Sequence, residues 1–166
     1  IRDRRYAIDN AQFSEHPFQR APASGKRIAV VGAGPAGLSC AHRLAMHGHE
    51  VVIFEAREKA GGLNEYGIAK YKLVDDFAQR EVEFLLQIGG IEIRHGHKLG
   101  DDLSLSELHQ QFDAVFLGIG LAASKRLGLP GEEAPGLLAA TDYIRELRQS
   151  DDLTQLPVAE RCICLL

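Results

Sequence analysis

The sequence has little of several features that would assign a function class directly. Its 166 residues carry a formal net charge of −4, which gives no support for a surface that binds nucleic acid or an anionic membrane. No run of about eighteen apolar residues predicts a membrane span, and no secretory signal peptide is recognisable. There is no internal repeat and no low-complexity tract. Hydrophobic residues make up 45% of the chain, so the composition predicts a soluble globular domain of ordinary size.

Cysteine is also scarce. The three cysteines are Cys40, Cys162 and Cys164, an odd number without the spacing of a disulfide framework or a metal site. We therefore expect a protein of the reducing cytoplasm with no bound metal.

What the sequence does contain is a spaced set of glycines. The motif GAGPAG at residues 32–37, named here the glycine turn, follows the apolar run IAVV and precedes a helix predicted over residues 36–46. Gly32 permits a tight turn, Gly34 lets the backbone approach a pyrophosphate, and Gly37 lets the helix pack against the strand. Pro35 suits the first helical turn, and the amino end of the helix attracts phosphate. These residues predict a dinucleotide-binding βαβ unit.

The second strand of that unit, VVIF at residues 51–54, is followed by Glu55. A carboxylate at this position accepts hydrogen bonds from a ribose. Because Glu55 would repel a 2′-phosphate, it favours the adenosine half of FAD or NAD over that of NADP, although Arg57 weakens this inference.

The segment that follows distinguishes FAD from NAD. A plain nicotinamide domain would pass directly into its next helix, whereas residues 61–72 form an irregular stretch that contains Gly61, Gly62 and Gly67. Such a stretch can lie along a longer cofactor, so the pattern favours FAD. A plain NAD-dependent dehydrogenase and a non-catalytic nucleotide-binding or assembly module stay open as alternatives.

The rest of the chain completes an α/β pattern. Helices are predicted over residues 73–88, 104–110 and 140–149, and strands over 91–93 and 114–117. The strand AVFL at 114–117 is expected to be covered on both faces, and Gly118 after it permits close approach of a ligand. The predicted fold is a Rossmann-like parallel sheet with flanking helices.

Other polar residues are weaker candidates. His95 and His97 could share one strand face and chelate a metal, but no third ligand follows at a useful spacing. Ser39 and Cys40 lack the setting of a nucleophile elbow, and the glycine turn lacks the lysine and hydroxyl of a P-loop. The remaining histidines are expected to be solvated or to form local caps, and the acid pairs are expected to lie in solvated caps and turns. These residues are His42, His47, His49, Asp75-Asp76, Asp101-Asp102, Glu132-Glu133 and Asp151-Asp152.

Taken together, these motifs resemble the flavin-dependent pyridine nucleotide oxidoreductases related to the glutamate synthase small subunit and to the amino-terminal half of dihydropyrimidine dehydrogenase. The resemblance rests on GAGPAGL at 32–38, E-x5-GGL at 55–63, YGIAKYKL at 66–73 and FLGIGL at 116–121. The segment GGLNEYGIAKYK at 61–72 most resembles the FAD-carrying subunit of the bacterial dihydropyrimidine dehydrogenase. Ala69 departs from the family, where a proline often follows the Gly-Ile pair.

The resemblance implies FAD as the cofactor and a set of contacts to it. The predicted contact residues, from the motifs and the resemblance together, are Gly32, Ala33, Gly34, Pro35, Ala36, Gly37, Glu55, Ala56, Arg57, Gly61, Gly62, Leu63, Gly67, Lys72, Leu99 and Gly118. Lys72 and Leu99 depend on the resemblance alone. No residue is identified as catalytic.

The resemblance also implies that the chain is a piece of a longer protein. Residues 1–25 would be the end of an upstream helical domain and a linker, 26–157 the FAD-binding domain, and 158–166 the start of an NAD(P)H-binding domain. Electrons would pass from NAD(P)H through FAD and iron–sulfur clusters outside this chain to a second catalytic subunit or domain. That partner would reduce uracil or thymine, or make glutamate.

Overall fold

The computed structural model describes residues 16–121 and 128–156, in which strands and helices alternate along the chain. The elements are β1 Arg27–Val31, α1 Pro35–Met46, β2 Glu50–Glu55, α2 Leu63–Tyr66, α3 Phe77–Leu86, β3 Ile91–His95, α4 Leu105–Gln111, β4 Ala114–Leu117, α5 Ala140–Gln149 and a 3₁₀ turn Leu153–Gln155. The four strands form one parallel sheet in the order β3-β2-β1-β4. The predicted Rossmann-like α/β fold is confirmed.

The central strand β1 determines where a ligand can bind. Val31, at its end, lies beside Phe54 of β2 and Leu117 of β4. The carboxyl ends of three parallel strands therefore meet at one edge of the sheet. Because β2 and β4 lie on opposite sides of β1, this edge is the crevice in which doubly wound sheets bind nucleotides.

Core residues cover both faces of the sheet, since alternate side chains of a strand point in opposite directions. On one face, Val30 and Ile53 pack with α1 and α3 through Leu38, Ala41 and Val82. A second cluster covers the other face and consists of Ala29, Val31, Val52, Phe54, Leu103, Leu108 and Phe112. The turns at the carboxyl edge of the sheet therefore extend from strands that pack into the core.

Two helical boundaries differ from the sequence predictions. The helix predicted from residue 73 begins at Phe77, because Asp75 and Asp76 adopt left-handed backbone conformations with φ of 57° and 51°. Aspartate tolerates this conformation better than most residues, so the helical periodicity upstream of Phe77 was misleading. Within the irregular stretch 61–72, residues Leu63–Tyr66 form a single helical turn.

The expectation that β4 is covered on both faces is wrong for the described residues. β4 forms the edge of the sheet, with Phe116 36% and Leu117 49% exposed. Four consecutive apolar residues indicate burial, but they do not reveal whether the chain also supplies the neighbouring layer.

The segment before β1 packs against the same sheet and helix. Ala21 N–H donates to the carbonyl of Met46 at 3.0 Å, and Ser24 N–H donates to that of Gly48 at 2.9 Å. The predicted upstream helical part and the start of a second nucleotide domain fall mainly on residues 1–15 and 157–166, outside the described residues. The domain boundaries therefore stay a prediction.

Candidate functional site

Two glycines of the glycine turn are required by packing within the chain. Gly32 has φ of +101°, and a Cβ there would lie 2.5 Å from the carbonyl oxygen of Gly118. A Cβ on Gly37 would lie 1.8 Å from the carbonyl oxygen of Gly32. Neither position can hold a larger side chain unless the backbone moves. Both glycines therefore allow β1, α1 and the end of β4 to pack closely together.

Gly34 differs, because no packing contact in residues 16–121 and 128–156 requires a glycine there. Its φ of −76° and ψ of 179° are open to any residue, and a Cβ would come no closer than 3.9 Å to its nearest neighbour, the Cα of Gly62. The space beside Gly34 is therefore open, and a glycine here leaves the backbone accessible. This is the arrangement that close approach of a pyrophosphate requires.

The amino end of α1 faces the same space. Gly34 is its N-cap, without a capping side chain, and Pro35 occupies the first turn. The amide groups in the first turn of a helix have no partner within the helix and carry a partial positive charge. Because Pro35 and Ala36 are exposed, a phosphate can reach these groups from solvent.

Glu55 lies at the other side of the turn and is 8% exposed. One carboxylate oxygen accepts the Ala33 N–H at 2.7 Å, and the other accepts the Arg57 N–H at 2.9 Å. A carboxylate offers about four lone-pair positions, so each oxygen can still accept a ribose hydroxyl. Glu55 therefore has a structural role in the glycine turn in addition to the predicted ribose contact.

Residues 61 and 62 cross the glycine turn. Gly61 N–H donates to the carbonyl of Ala33 at 2.8 Å. Gly62 has φ of +53°, and a Cβ there would lie 2.7 Å from the Cα of Gly34. The structure thus brings the two predicted glycine motifs into direct backbone contact.

The other predicted contact residues around the glycine turn have different surroundings. Arg57, which follows Glu55 and Ala56, stacks on the Tyr66 ring at 4.5 Å. Leu63 is 63% exposed beside the turn, and Gly67 ends α2. Gly118 N–H donates to Val31 at 2.8 Å.

The two contacts that depend on the resemblance alone lie on turns. Lys72 is exposed, and its ammonium lies 5.8 Å from the Tyr71 ring centroid. Leu99 forms an isolated bridge with Leu103, on the segment whose His97 N–H donates to the carbonyl of Glu55 at 3.0 Å. Leu99 is therefore close in sequence to the ribose end of the site, whereas no contact of Lys72 relates it to the glycine turn in the described residues. Both assignments stay predictions.

Sequence reasoning missed a polar cluster behind Gly61, centred on Glu65, which is 6% exposed. The Glu65 carboxylate accepts hydrogen bonds from Gln79 and Gln149, both at 2.9 Å. Arg148 donates to the backbone carbonyl of Glu65. These partners lie up to 84 positions away in sequence, and no motif relates them to Glu65.

Among the histidines, His42 is buried rather than solvated, because its ring packs against His16 and Phe18 with centroids 5.7 and 5.3 Å away. His95 Nδ1 pairs with the carbonyl of Arg57 at 3.0 Å, and His97 Nδ1 pairs with Asp102 at 2.7 Å. These contacts explain the two histidines without a metal, and the described ranges hold no group of three or more metal-ligating side chains.

Two other reactive side chains hold their protons. Burial raises the pKa of the Cys40 thiol, which disfavours the thiolate that a nucleophile needs. Burial also raises the pKa of Tyr66, whose hydroxyl accepts the Lys59 N–H at 3.0 Å. Across the same described ranges, no helix is both long and apolar enough to cross a membrane.

Comparison with known proteins agrees with this geometry. Residues 26–164 match the family model described as pyridine nucleotide-disulphide oxidoreductase. The chain belongs to this family. The pyridine nucleotide-disulphide oxidoreductase model thus covers the whole sheet and the segment that crosses the glycine turn.

Individual relatives support the same assignment. The chain is 40% identical over 126 residues to the beta subunit of an NADP(+)-dependent formate dehydrogenase from Moorella thermoacetica, covering 75% of this chain and 18% of that protein. It is 40% identical over 121 residues to the glutamate synthase [NADPH] small chain of Escherichia coli, covering 73% and 25%. The resemblance to the glutamate synthase small subunit is confirmed. The chain spans a quarter or less of the length of these two relatives.

Among solved structures, FprA from Mycobacterium tuberculosis in complex with NADPH is similar to this chain, with a TM-score of 0.63 and 23% identity. The match covers 76% of this chain and 29% of FprA. At this identity the likeness supports the fold alone.

Proposed function

We propose that this chain is the FAD-binding part of an NAD(P)H-dependent oxidoreductase. The observation that carries the proposal is the open space beside Gly34, where the glycine turn, the amino end of α1 and Gly62 meet. Gly34 lies at the phosphate-binding position of a βαβ unit, and none of its described packing contacts requires a glycine, so a ligand that approaches the backbone would explain this residue.

Different residues of the chain would bind different parts of the cofactor. The amide groups of the first turn of α1 would bind the pyrophosphate, and Glu55 would accept hydrogen bonds from the adenosine ribose. Gly61 and Gly62 would lie along the part of the cofactor beyond the pyrophosphate. Bound FAD supplies the redox chemistry by accepting a hydride from NAD(P)H.

Further parts of the proposal concern the protein to which the chain belongs. The relatives named small chain and beta subunit support a partner subunit, which we propose to be a second catalytic subunit that receives electrons through iron–sulfur clusters outside this chain. The acceptor would be dihydropyrimidine dehydrogenase-like or glutamate synthase-like. We place the protein in the cytoplasm, on the cysteine usage of the sequence.

The proposal is tested by titrating the purified 166-residue chain with FAD and recording the visible spectrum of the fraction that co-elutes with protein. Gly34→Ala is the decisive variant, because its methyl group would enter only the open space. We expect it to weaken FAD binding by about tenfold or more. Gln110→Ala, an exposed change on α4, is the control and should bind FAD as the wild type does.

Glu55→Ala would be a less specific test, since Glu55 also holds the N–H groups of Ala33 and Arg57. A wild-type chain that takes up NAD but no FAD would overturn the proposal in favour of a nicotinamide-binding domain. Equal FAD affinity of wild type and Gly34→Ala would show that the open space is not the binding site.

A further inference from the structure

The side chain of Arg148, in the last turn of α5, contacts residues 65 and 68, which follow the two glycines that cross the glycine turn. It is 6% exposed, and its Nη1 donates to the carbonyl of Ile68 at 2.8 Å. Its Nε donates to the carbonyl of Glu65. One guanidinium therefore binds two carbonyl groups at the end of α2 and just beyond it, 80 or more positions earlier in the chain.

Polar contacts join α5 to residues 65–68. No residue of α5, all of which is described, belongs to either core cluster or is buried as a whole residue. Gln149 adds a second contact, donating to the Glu65 carboxylate at 2.9 Å. A change at Arg148 would therefore remove contacts to the end of α2 without removing a side chain from either core cluster.

Glu65 transmits this placement to the candidate site. Its carboxylate lies 3.9 Å from Arg148 and 2.9 Å from Gln79, which also donates to the carbonyl of Ala60 at 2.8 Å. A Cβ on Gly61 would lie 3.0 Å from the Cβ of Glu65, so Glu65 packs directly behind Gly61. Gly61 in turn binds Ala33 of the glycine turn.

We infer that Arg148 is a positioning residue for FAD, which fixes residues 61–68 in the conformation that receives the cofactor beyond its pyrophosphate. The inference rests on the proposed function. Besides the contact with Gly61, the glycine turn has contacts that do not involve α5, because Gly32 N–H donates to the carbonyl of Phe54 and Ala33 N–H donates to Glu55, both at 2.7 Å. Arg148 should therefore affect binding of the whole cofactor and leave binding of its adenosine diphosphate half unchanged.

The test compares Arg148→Gln with wild type in separate titrations of the 166-residue chain with FAD and with ADP. We expect the Kd for FAD to rise about tenfold and the Kd for ADP to stay within about twofold. At saturating FAD, the visible circular dichroism of the bound flavin should also change, because the segment beside it has moved. Arg145→Gln is the matched control, since Arg145 lies one turn earlier on α5 and pairs with Asp142 at 3.0 Å.

A milder variant covers the case in which Arg148→Gln weakens the fold. Arg148→Lys keeps the charge but has a single ammonium in place of the planar guanidinium, so it should raise the Kd for FAD by less than Arg148→Gln does. Unchanged FAD affinity and unchanged dichroism in both variants would overturn the inference, as would equal losses of FAD and ADP binding. A wild type that binds ADP but not FAD would instead overturn the proposed function itself.

Discussion

At the scale of single residues, glycine occupies the three positions of the glycine turn for different reasons. Gly32 and Gly37 are set by contacts within the chain, where a methyl group would meet a carbonyl oxygen at 2.5 and 1.8 Å. No contact within the described residues requires glycine at position 34. The same residue type in one short motif thus serves the fold at two positions and the proposed ligand at the third.

This difference predicts opposite effects on stability. Gly37→Ala should lower the free energy of unfolding by about 1–3 kcal/mol, the cost of overpacking a tight contact. Gly34→Ala should change it by less than about 1 kcal/mol, and in the stabilising direction, because alanine restricts the unfolded chain. Urea denaturation of the two variants beside wild type measures both. Equal destabilisation would contradict the geometry described for Gly34.

At the scale of elements, Asp113 joins the starts of β1 and β4. Its carboxylate accepts hydrogen bonds from Lys26 Nζ at 2.7 Å and from the Arg27 N–H at 2.9 Å. The hydrogen bond from Lys26, followed by that from Arg27, holds the pKa of Asp113 below its usual value. The folded state therefore favours the ionised carboxylate.

The sign of the pH dependence follows from that lowered pKa. The stabilisation is complete above the unfolded aspartate pKa of about 3.9, and it is lost as the pH falls through the lower pKa of the folded state. Asp113→Asn should thus have a lower urea midpoint than wild type at pH 7, and the difference should shrink as the pH falls below the unfolded aspartate pKa and through the lower pKa of the folded state. Asp151→Asn, in the turn after α5, is the control. A difference that persists at low pH would contradict the prediction.

Among the elements, the sequence predicted best those whose structure depends on residues close together in the chain. The unit from β1 to β2 was confirmed because glycine, proline and apolar alternation act within a few residues. The start of α3 was missed because Asp75 and Asp76 adopt left-handed conformations that helical periodicity does not reveal. The cluster of Glu65 and Arg148 was missed because only the folded chain brings them together.

At the scale of the whole molecule, the sheet of the described residues has the apolar strand β4 at one edge. Leu117, Ile119 and Leu121 follow one another at the carboxyl end of β4 and are 49%, 63% and 98% exposed. Their hydrophobic character was evident in the sequence, whereas their exposure was not, because it depends on what lies beyond the described sheet. Exposed apolar edges promote association between molecules.

We therefore predict that the doubly substituted chain Ile119→Lys, Leu121→Lys self-associates less than wild type. Both side chains are mostly exposed, so the free energy of unfolding should change by less than about 0.5 kcal/mol. Sedimentation velocity over a range of protein concentrations measures the association. Leu105→Lys, a change at a residue 41% exposed on α4, should leave it unaltered, and unaltered association in the double variant would refute the prediction.

The open space beside Gly34 also has a consequence for evolution. In a descendant of this chain that no longer needs its nucleotide, selection for folding would still retain Gly32 and Gly37, while mutations at Gly34 would accumulate without penalty. The residue at position 34 alone would then distinguish a descendant that binds the nucleotide from one that has kept only the fold.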